Sequence, residues 1–304
     1  MQMKNAATLI AAPALGPLTD EDLAVASRAL VGKGAEMLGS AWLSDQEAAD
    51  LYFTGLDNAA AQKILAQALE GRQVDFLCQP AEGRKKAMLI ADMDSTIIEI
   101  ECVDELADLV GLKDKVAAIT EAAMRGEMDF EAALKERVAL LAGLEEARLH
   151  DLYDQRMTFT AGAAELVATM NAAGAMTCLV SGGFTWFTGR VAADLGFAET
   201  RANRLVFNDG KLTGEVGAPV LGAEAKLASL VEFRAARGLS REDVLAVGDG
   251  ANDIPMLQEA GLGVAFHAKP KTRAAAGAAI DHASLTALLY MQGYARAEFV
   301  TPGH

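Results

Sequence analysis

Apolar and polar positions divide the chain into two stretches of different rhythm. Up to about residue 83, short apolar runs alternate with amphipathic segments. ATLIAAPAL (7–15), AEMLGSAWL (35–43), ADLYFTG (49–55) and VDFLC (74–78) have the length and β-branched or aromatic content of strands. Two segments between them carry helical spacing. The first opens at Thr19 and Asp22, a residue pair suited to a capping box, and closes near Gly32; the second is NAAAQKILAQALEG (58–71). The order β-α-β-β-α-β predicts a small α+β, ferredoxin-like domain over residues 1–83, a sheet with helices on one face. The polar, basic segment AEGRKK (81–86) marks its boundary.

Beyond that boundary the pattern changes. AMLIA (87–91) is a continuous apolar run of the kind buried on both faces of a parallel sheet. From about 102 to 157 the spacing is helical almost throughout, as in DFEAALKERVALLAG (129–143), which predicts an all-helical insertion. From Ala161 on, helix and strand alternate: GAAELVATMNAAG, MTCLVSGG, a hairpin around Asn208-Asp209-Gly210, AEAKLASLVEF and VLAVGDG. Residues 84–304 therefore predict an α/β domain, a doubly wound parallel sheet carrying a helical cap.

Composition narrows the partners. The chain has 304 residues, is 52% hydrophobic and 23% charged, and carries a formal net charge of −15. That charge argues against nucleic acid and anionic membrane, both of which require basic surfaces. No run approaches the roughly 20 apolar residues of a spanning helix. Lys4 and the apolar run after it are too short and proline-interrupted for an export signal, and Cys78, Cys102 and Cys178 suit neither a disulfide framework nor a zinc site. A reducing cytoplasm is the expected location.

Three apolar runs end in polar residues, and the carboxyl ends of parallel strands are where ligands bind. The first gives Asp92-Met93-Asp94-Ser95-Thr96, the second Ser181-Gly182-Gly183, the third Gly248-Asp249-Gly250-Ala251-Asn252-Asp253; Lys226 lies between the last two. Each motif alone is commonly a turn or a solvated face. Together, in this order and each after a strand, they supply what phosphoryl transfer needs: a nucleophile, a proton carrier, donors for phosphate oxygens and a cation. Of Asp92 and Asp94, one can attack while the other handles the proton. Asp92 and Asp249, with a backbone carbonyl, suit Mg²⁺, and Mn²⁺ accepts the same oxygen donors. Ser181, Gly182 and Lys226 can hold phosphate oxygens.

These motifs, over about residues 87–290, resemble those of the haloacid dehalogenase superfamily. The resemblance implies that Asp92 becomes phosphorylated and Asp94 serves as general acid, then base. It implies that Ser181 and Lys226 hold the phosphate, and that Asp92, Asp249 and the Asp94 carbonyl bind the metal. Asp253 would support the metal shell and Lys226, and Asn252 would lie near the phosphate. Within the superfamily, DMDST, Glu101 in IIEIECVDELA, SGGF and GDGAND resemble the branch that hydrolyses phosphoserine, the last step of serine biosynthesis. Glu101 would then take the substrate ammonium, Arg137 its carboxylate, and Met124 and Phe130 the apolar side, with the helical insertion closing over them. Without the resemblance, Arg137 reads as a surface helix residue, Glu101 as a helix-start residue, and Met124 and Phe130 as core. Residues 1–83 resemble ACT-like regulatory modules, which leaves open serine binding, pairing into a homodimer and a purely structural role. Two other readings remain: a relative acting on another small phosphate ester or transferring phosphate to an alcohol, and an amino-acid sensor with an inactive phosphatase half. Pro255, after Asn252-Asp253, falls where the first turn of a helix tolerates it.

Overall fold

The computed structural model describes residues 4–124 and 127–301, the side chain of Met124 excepted. The first unit comprises β1 (Asn5–Ala11), α1 (Asp20–Val31), β2 (Glu36–Ser44), β3 (Ala48–Thr54), α2 (Asn58–Ala68) and β4 (Val74–Pro80). Its sheet is antiparallel, in the order β2-β3-β1-β4. The capping box that opens α1 is present: the Asp22 N–H donates to Thr19 Oγ1 at 3.2 Å and the Thr19 N–H to Asp22 Oδ2 at 2.9 Å. Leu23, Ala26 and Leu30 turn one face of α1 onto Leu9, Leu51 and Phe53 of the sheet. The first strand ends at Ala11, short of the expected Leu15, because Pro13 has no N–H to give a neighbouring strand.

The second unit begins with β5 (Met88–Ala91). The cap follows as α3 (Cys102–Leu109), α4 (Lys113–Met124), α5 (Phe130–Ala139) and α6 (Glu146–Arg156). Then come α7 (Ala163–Ala172), β6 (Met176–Phe184), α8 (Thr185–Leu195), β7 (Glu199–Asn208), β8 (Lys211–Gly217), α9 (Ala223–Ala236) and β9 (Val244–Gly248). The chain closes with α10 (Ile254–Glu259), β10 (Leu262–Phe266), α11 (Pro270–Ala275), β11 (Ala278–Ile280) and α12 (Ala287–Met291). The sheet order is β11-β10-β9-β5-β6-β7-β8, parallel except for the β7–β8 hairpin. Alternate residues of β5 bury on opposite sides: Leu89 packs with Leu166 and Phe187 of α7 and α8, and Ile90 with Leu230 and Phe233 of α9. Helices therefore cover both faces, and the central strands β5 and β9 are wholly buried.

Two extended segments join the cap to the core. Ile98 bridges Phe159, the Glu99 N–H donates to Thr158 O and the Thr160 N–H to Ile97 O, both at 3.0 Å. The cap also rests on the β7–β8 hairpin, where Gly143 N–H donates to Leu212 O at 2.7 Å.

The sequence predicts helices on one face of the first sheet, and over β1, β3 and β4 its other face is covered too. Ile10, Ala48 and Leu77 belong to the hydrophobic core of the second unit, beside Tyr290. Asp75 accepts the N–H groups of Asp281, His282 and Ala283 at 2.8, 3.1 and 2.8 Å. Arg84, in the connecting segment, reaches back to the fully buried Asp50 at 2.7 Å.

Candidate active site

The floor of the site is built where β5 ends. Asp94 leaves the strand with extended dihedrals and Ser95 adopts a left-handed φ of 57°. This turn lets two carboxylates only two residues apart face one space. Asp92 Oδ1 accepts from the Met93 N–H at 2.8 Å and from Lys226 Nζ at 2.6 Å. Lys226 also donates to Asp253 Oδ1 at 2.6 Å, and the Gly250 N–H donates to Asp253 Oδ2 at 3.0 Å. All three side chains are buried: Asp92 is 5% exposed, Lys226 1% and Asp253 0%.

Asp94 is held by two donors. Its Oδ1 accepts from the Cys102 N–H at 2.9 Å and its Oδ2 from Ser181 Oγ at 3.1 Å, while Ser181 Oγ accepts from the Gly183 N–H at 2.7 Å. A side chain at Gly183 would push Asp94 out of place, since a Cβ there would stand 2.6 Å from Asp94 Oδ2. The third strand end adds Asp249, whose Oδ1 lies 3.5 Å from Thr96 Oγ1. Ligand oxygens of Asp92, Asp249 and Asp253 lie within 4.8 Å of one another.

The cap forms the roof of a cavity of about 560 Å³ whose walls include Asp92, Asp94, Ser181, Asp249 and Asn252 below and Glu101, Phe130 and Arg137 above. Glu101 Oε1 accepts from Ser95 Oγ at 2.6 Å. Arg137 is tethered loosely, by Nε to Ala133 O at 3.3 Å and by Nη1 to Thr120 Oγ1 at 3.4 Å. Met124, the fourth residue expected in the roof, has its side chain outside the described residues.

The family model of haloacid dehalogenase-like hydrolases matches residues 89–258. The chain belongs to this family. A phosphoserine phosphatase of Albidiferax ferrireducens is 52% identical over 208 residues, covering 66% of this chain and 87% of that one. A probable phosphoserine phosphatase from Vibrio cholerae superposes with a TM-score of 0.77 at 30% identity, over 97% of this chain and 88% of that one, the first unit included. The phospho-aspartyl intermediate analogue of a phosphoserine phosphatase covers 68% of this chain and 98% of that one, with a TM-score of 0.63 and 39% identity.

Electrostatics in this haloacid dehalogenase-like site are dominated by surplus negative charge. Burial, then Asp253, raises Asp92 well above the ordinary carboxylate range, against the pull of Lys226. Asp249 is pushed up to about 6, by burial first and Asp253 next. Burial opposes the charge of Lys226, yet Asp253 and Asp92 keep it protonated beyond the ordinary lysine range. Glu101 keeps surface open to the cavity but is hemmed in, and burial followed by the Asp94 charge pushes it up to about 7. One lysine among Asp92, Asp249 and Asp253 leaves negative charge that a cation would balance, and the donors are all hard oxygens. The residues therefore fit Mg²⁺.

Further residues at the site escape the sequence reading. Lys269 and Lys271 line the cavity at the start of α11. The rule applied to the other strand ends could have found them, since HAKPK directly follows the buried β10. Asn203, on β7, is 1% exposed and ties the Gly182 carbonyl to the chain before α9; no motif marks it. Pro255 falls in the first turn of α10, as its position in the sequence predicts.

Proposed function

We propose that the chain hydrolyses O-phospho-L-serine to L-serine and phosphate through an aspartyl-phosphate on Asp92, completing serine biosynthesis in the cytoplasm. One observation carries the reading: a single cavity has the Asp92–Asp94–Ser181 floor and the Glu101–Arg137 roof. A dianionic ester with an ammonium and a carboxylate matches this division, phosphate to the floor and amino-acid groups to the roof.

In this reading Asp92 attacks phosphorus with the oxygen that bears neither the Met93 nor the Lys226 bond, and Lys226 stays charged to hold a phosphate oxygen. Ser181 and the Gly182 N–H support the other oxygens. Asp94 hands a proton to the departing serine oxygen and later takes one from water. Asp92, Asp249 and the Asp94 carbonyl would hold Mg²⁺, or Mn²⁺, which supplies charge neutralisation for the transferring phosphate. Asp253, with its oxygens already engaged by Lys226 and Gly250, supports this set from behind and orients Lys226. Asn252 faces the phosphate beside Gly182, and the cap excludes water until the phosphoenzyme forms.

Residues 1–83 are proposed as an ACT-like regulatory unit. The β4-β1-β3-β2 order supports the fold. A second cavity of about 470 Å³ at the junction is lined by Ala12, Glu47, Ser95, Glu99 and Thr160, which places the unit against the cap hinge. The β2 edge, with Leu38 50% and Trp42 41% exposed, is the surface on which a homodimer would form.

The test is phosphate release from L-phosphoserine with Mg²⁺ and with excess chelator, beside phosphothreonine and an aryl phosphate. Asp92→Asn should lower the rate by about 10⁴-fold or more, and chelator should abolish release. Equal rates on all three esters would refute the substrate. An unimpaired Asp92→Asn enzyme would refute the mechanism.

A further inference from the structure

Phe130, the first residue of α5, meets the core at two glycines. A Cβ placed on Gly182 would stand 3.2 Å from Phe130 Cζ, and one on Gly222 would stand 3.2 Å from Phe130 Cδ1. The ring thus occupies a notch that exists because both positions lack a side chain. Gly222 has φ −111° and ψ −156°, extended values that other residues also adopt. Its backbone conformation therefore does not demand glycine, but a side chain there would crowd the Phe130 ring. Gly222 lies four residues before Lys226 and caps α9, while Gly182 follows Ser181. The notch spans the two segments that carry the phosphate-holding groups.

Those segments are fastened to each other by Asn203. Its Nδ2 donates to Gly182 O at 2.8 Å and to Leu221 O at 3.1 Å, and its Oδ1 accepts the Leu221 N–H at 2.7 Å. All three bonds fix the spacing between Gly182 and Gly222, and the side chain contacts no part of the cap through them. A buried amide whose hydrogen bonds all go to two backbone segments acts as a spacer.

We propose that Asn203 and Gly222 are positioning residues that build a seat for Phe130, so that closing the cap and setting the phosphate-holding segments occur as one event. The inference rests on the phosphoryl-transfer reading above. Phe130 seats fully only when Gly182 and Gly222 stand at the spacing Asn203 dictates. A seated Phe130 in turn presses Gly182 toward the phosphate. Arg137 sits seven residues further along α5, two helical turns, so seating the ring also brings the carboxylate-binding group over the substrate.

Gly222→Val, in the parent and in a Phe130→Ala background, tests the seat. In the parent it should lower kcat/KM for phosphoserine about tenfold or more, with kcat falling further than KM rises. In the Phe130→Ala background the same substitution should cost less than about twofold, because the clash has no ring to displace. Asn203→Asp, which keeps the shape but loses both donated bonds, should produce the same kcat-weighted loss. Hydrogen exchange across 130–134 should quicken in Gly222→Val whether or not the enzyme turns over. Equal losses in both backgrounds would mean that Gly222 acts through α9 and Lys226 alone and would overturn the seat, as would unchanged exchange at α5. Running the series on an aryl phosphate as well separates the readings: turnover of that ester without turnover of phosphoserine defeats the substrate assignment and leaves the seat open to the same comparison.

Discussion

The floor and the roof of the cavity are built to different tolerances. On the floor, Asp92, Lys226 and Asp253 are almost fully buried and joined by bonds of 2.6 Å; in the roof, Arg137 is held by contacts of 3.3 and 3.4 Å, and Glu101, though it accepts from Ser95 at 2.6 Å, remains open to the cavity. Electrostatic catalysis depends on charges fixed before the reaction begins, since any reorientation during it costs free energy. Recognition of a substrate that must enter and leave depends on groups that can give way. In the proposed function the first task falls to strand ends within a parallel sheet and the second to a helical insertion joined by two extended segments.

The comparison is broken most severely at Lys226. Lys226→Ala should lower kcat by about 10²–10³-fold. It should also destabilise the protein by about 3–5 kcal/mol, because Asp92 and Asp253 would be left buried without their partner. Denaturant unfolding of the variant reads the second effect, and a stability equal to that of the parent would show that the floor is not locked. Arg137→Ala should leave the fold intact and raise KM for phosphoserine about 10–100-fold while sparing an aryl phosphate. A loss equal on both esters would move Arg137 from recognition to chemistry.

A finer test uses pH. Glu101, pushed up to about 7, is largely neutral at pH 6 and largely ionised at pH 8, and only the carboxylate attracts an ammonium. KM for phosphoserine should therefore fall as pH rises through 7. The ratio of this KM to that of an aryl phosphate removes the ionisation of the phosphate, which both esters share, and a flat ratio would exclude Glu101 from ammonium binding. The smallest effect is expected at Lys271, an exposed charge on the cavity wall. Lys271→Ala should reduce kcat/KM by about twofold at low salt and by nothing at high salt, the signature of steering in a protein of net charge −15.

Much of the floor is legible in the sequence because each of its motifs sits within a few residues of a buried strand, where local pattern carries the information. DMDST follows β5, GDGAND begins on the last residue of β9, and SGG lies within the last four residues of β6, where its pairing with β7 is interrupted. Asn203 is not legible, since its partners Gly182 and Leu221 lie 21 and 18 residues away and an isolated Asn in ETRANRLVFN has no periodic signature. The seat on Gly182 and Gly222 is equally hidden: what matters there is the absence of a side chain opposite a ring brought in from the cap. The burial of the first sheet on both faces did leave a trace. NAATLIA has no polar alternation, and all seven residues of β1 are buried. A strand with one wet face would have alternated.

That two-sided burial changes what the segment 81–86 is. Polar and basic, it has the composition of a tether, and a tether would give the two units only a raised local concentration of each other. Instead Arg84 dips into the structure to meet Asp50, and Asp75 grips the backbone of 281–283 from across the junction. The first unit is bolted to the sheet that carries Asp92. Displacing it exposes Ile10, Ala48 and Leu77 to water, so the two units melt as one, and a break in the chain at 81–86 would leave the assembly standing.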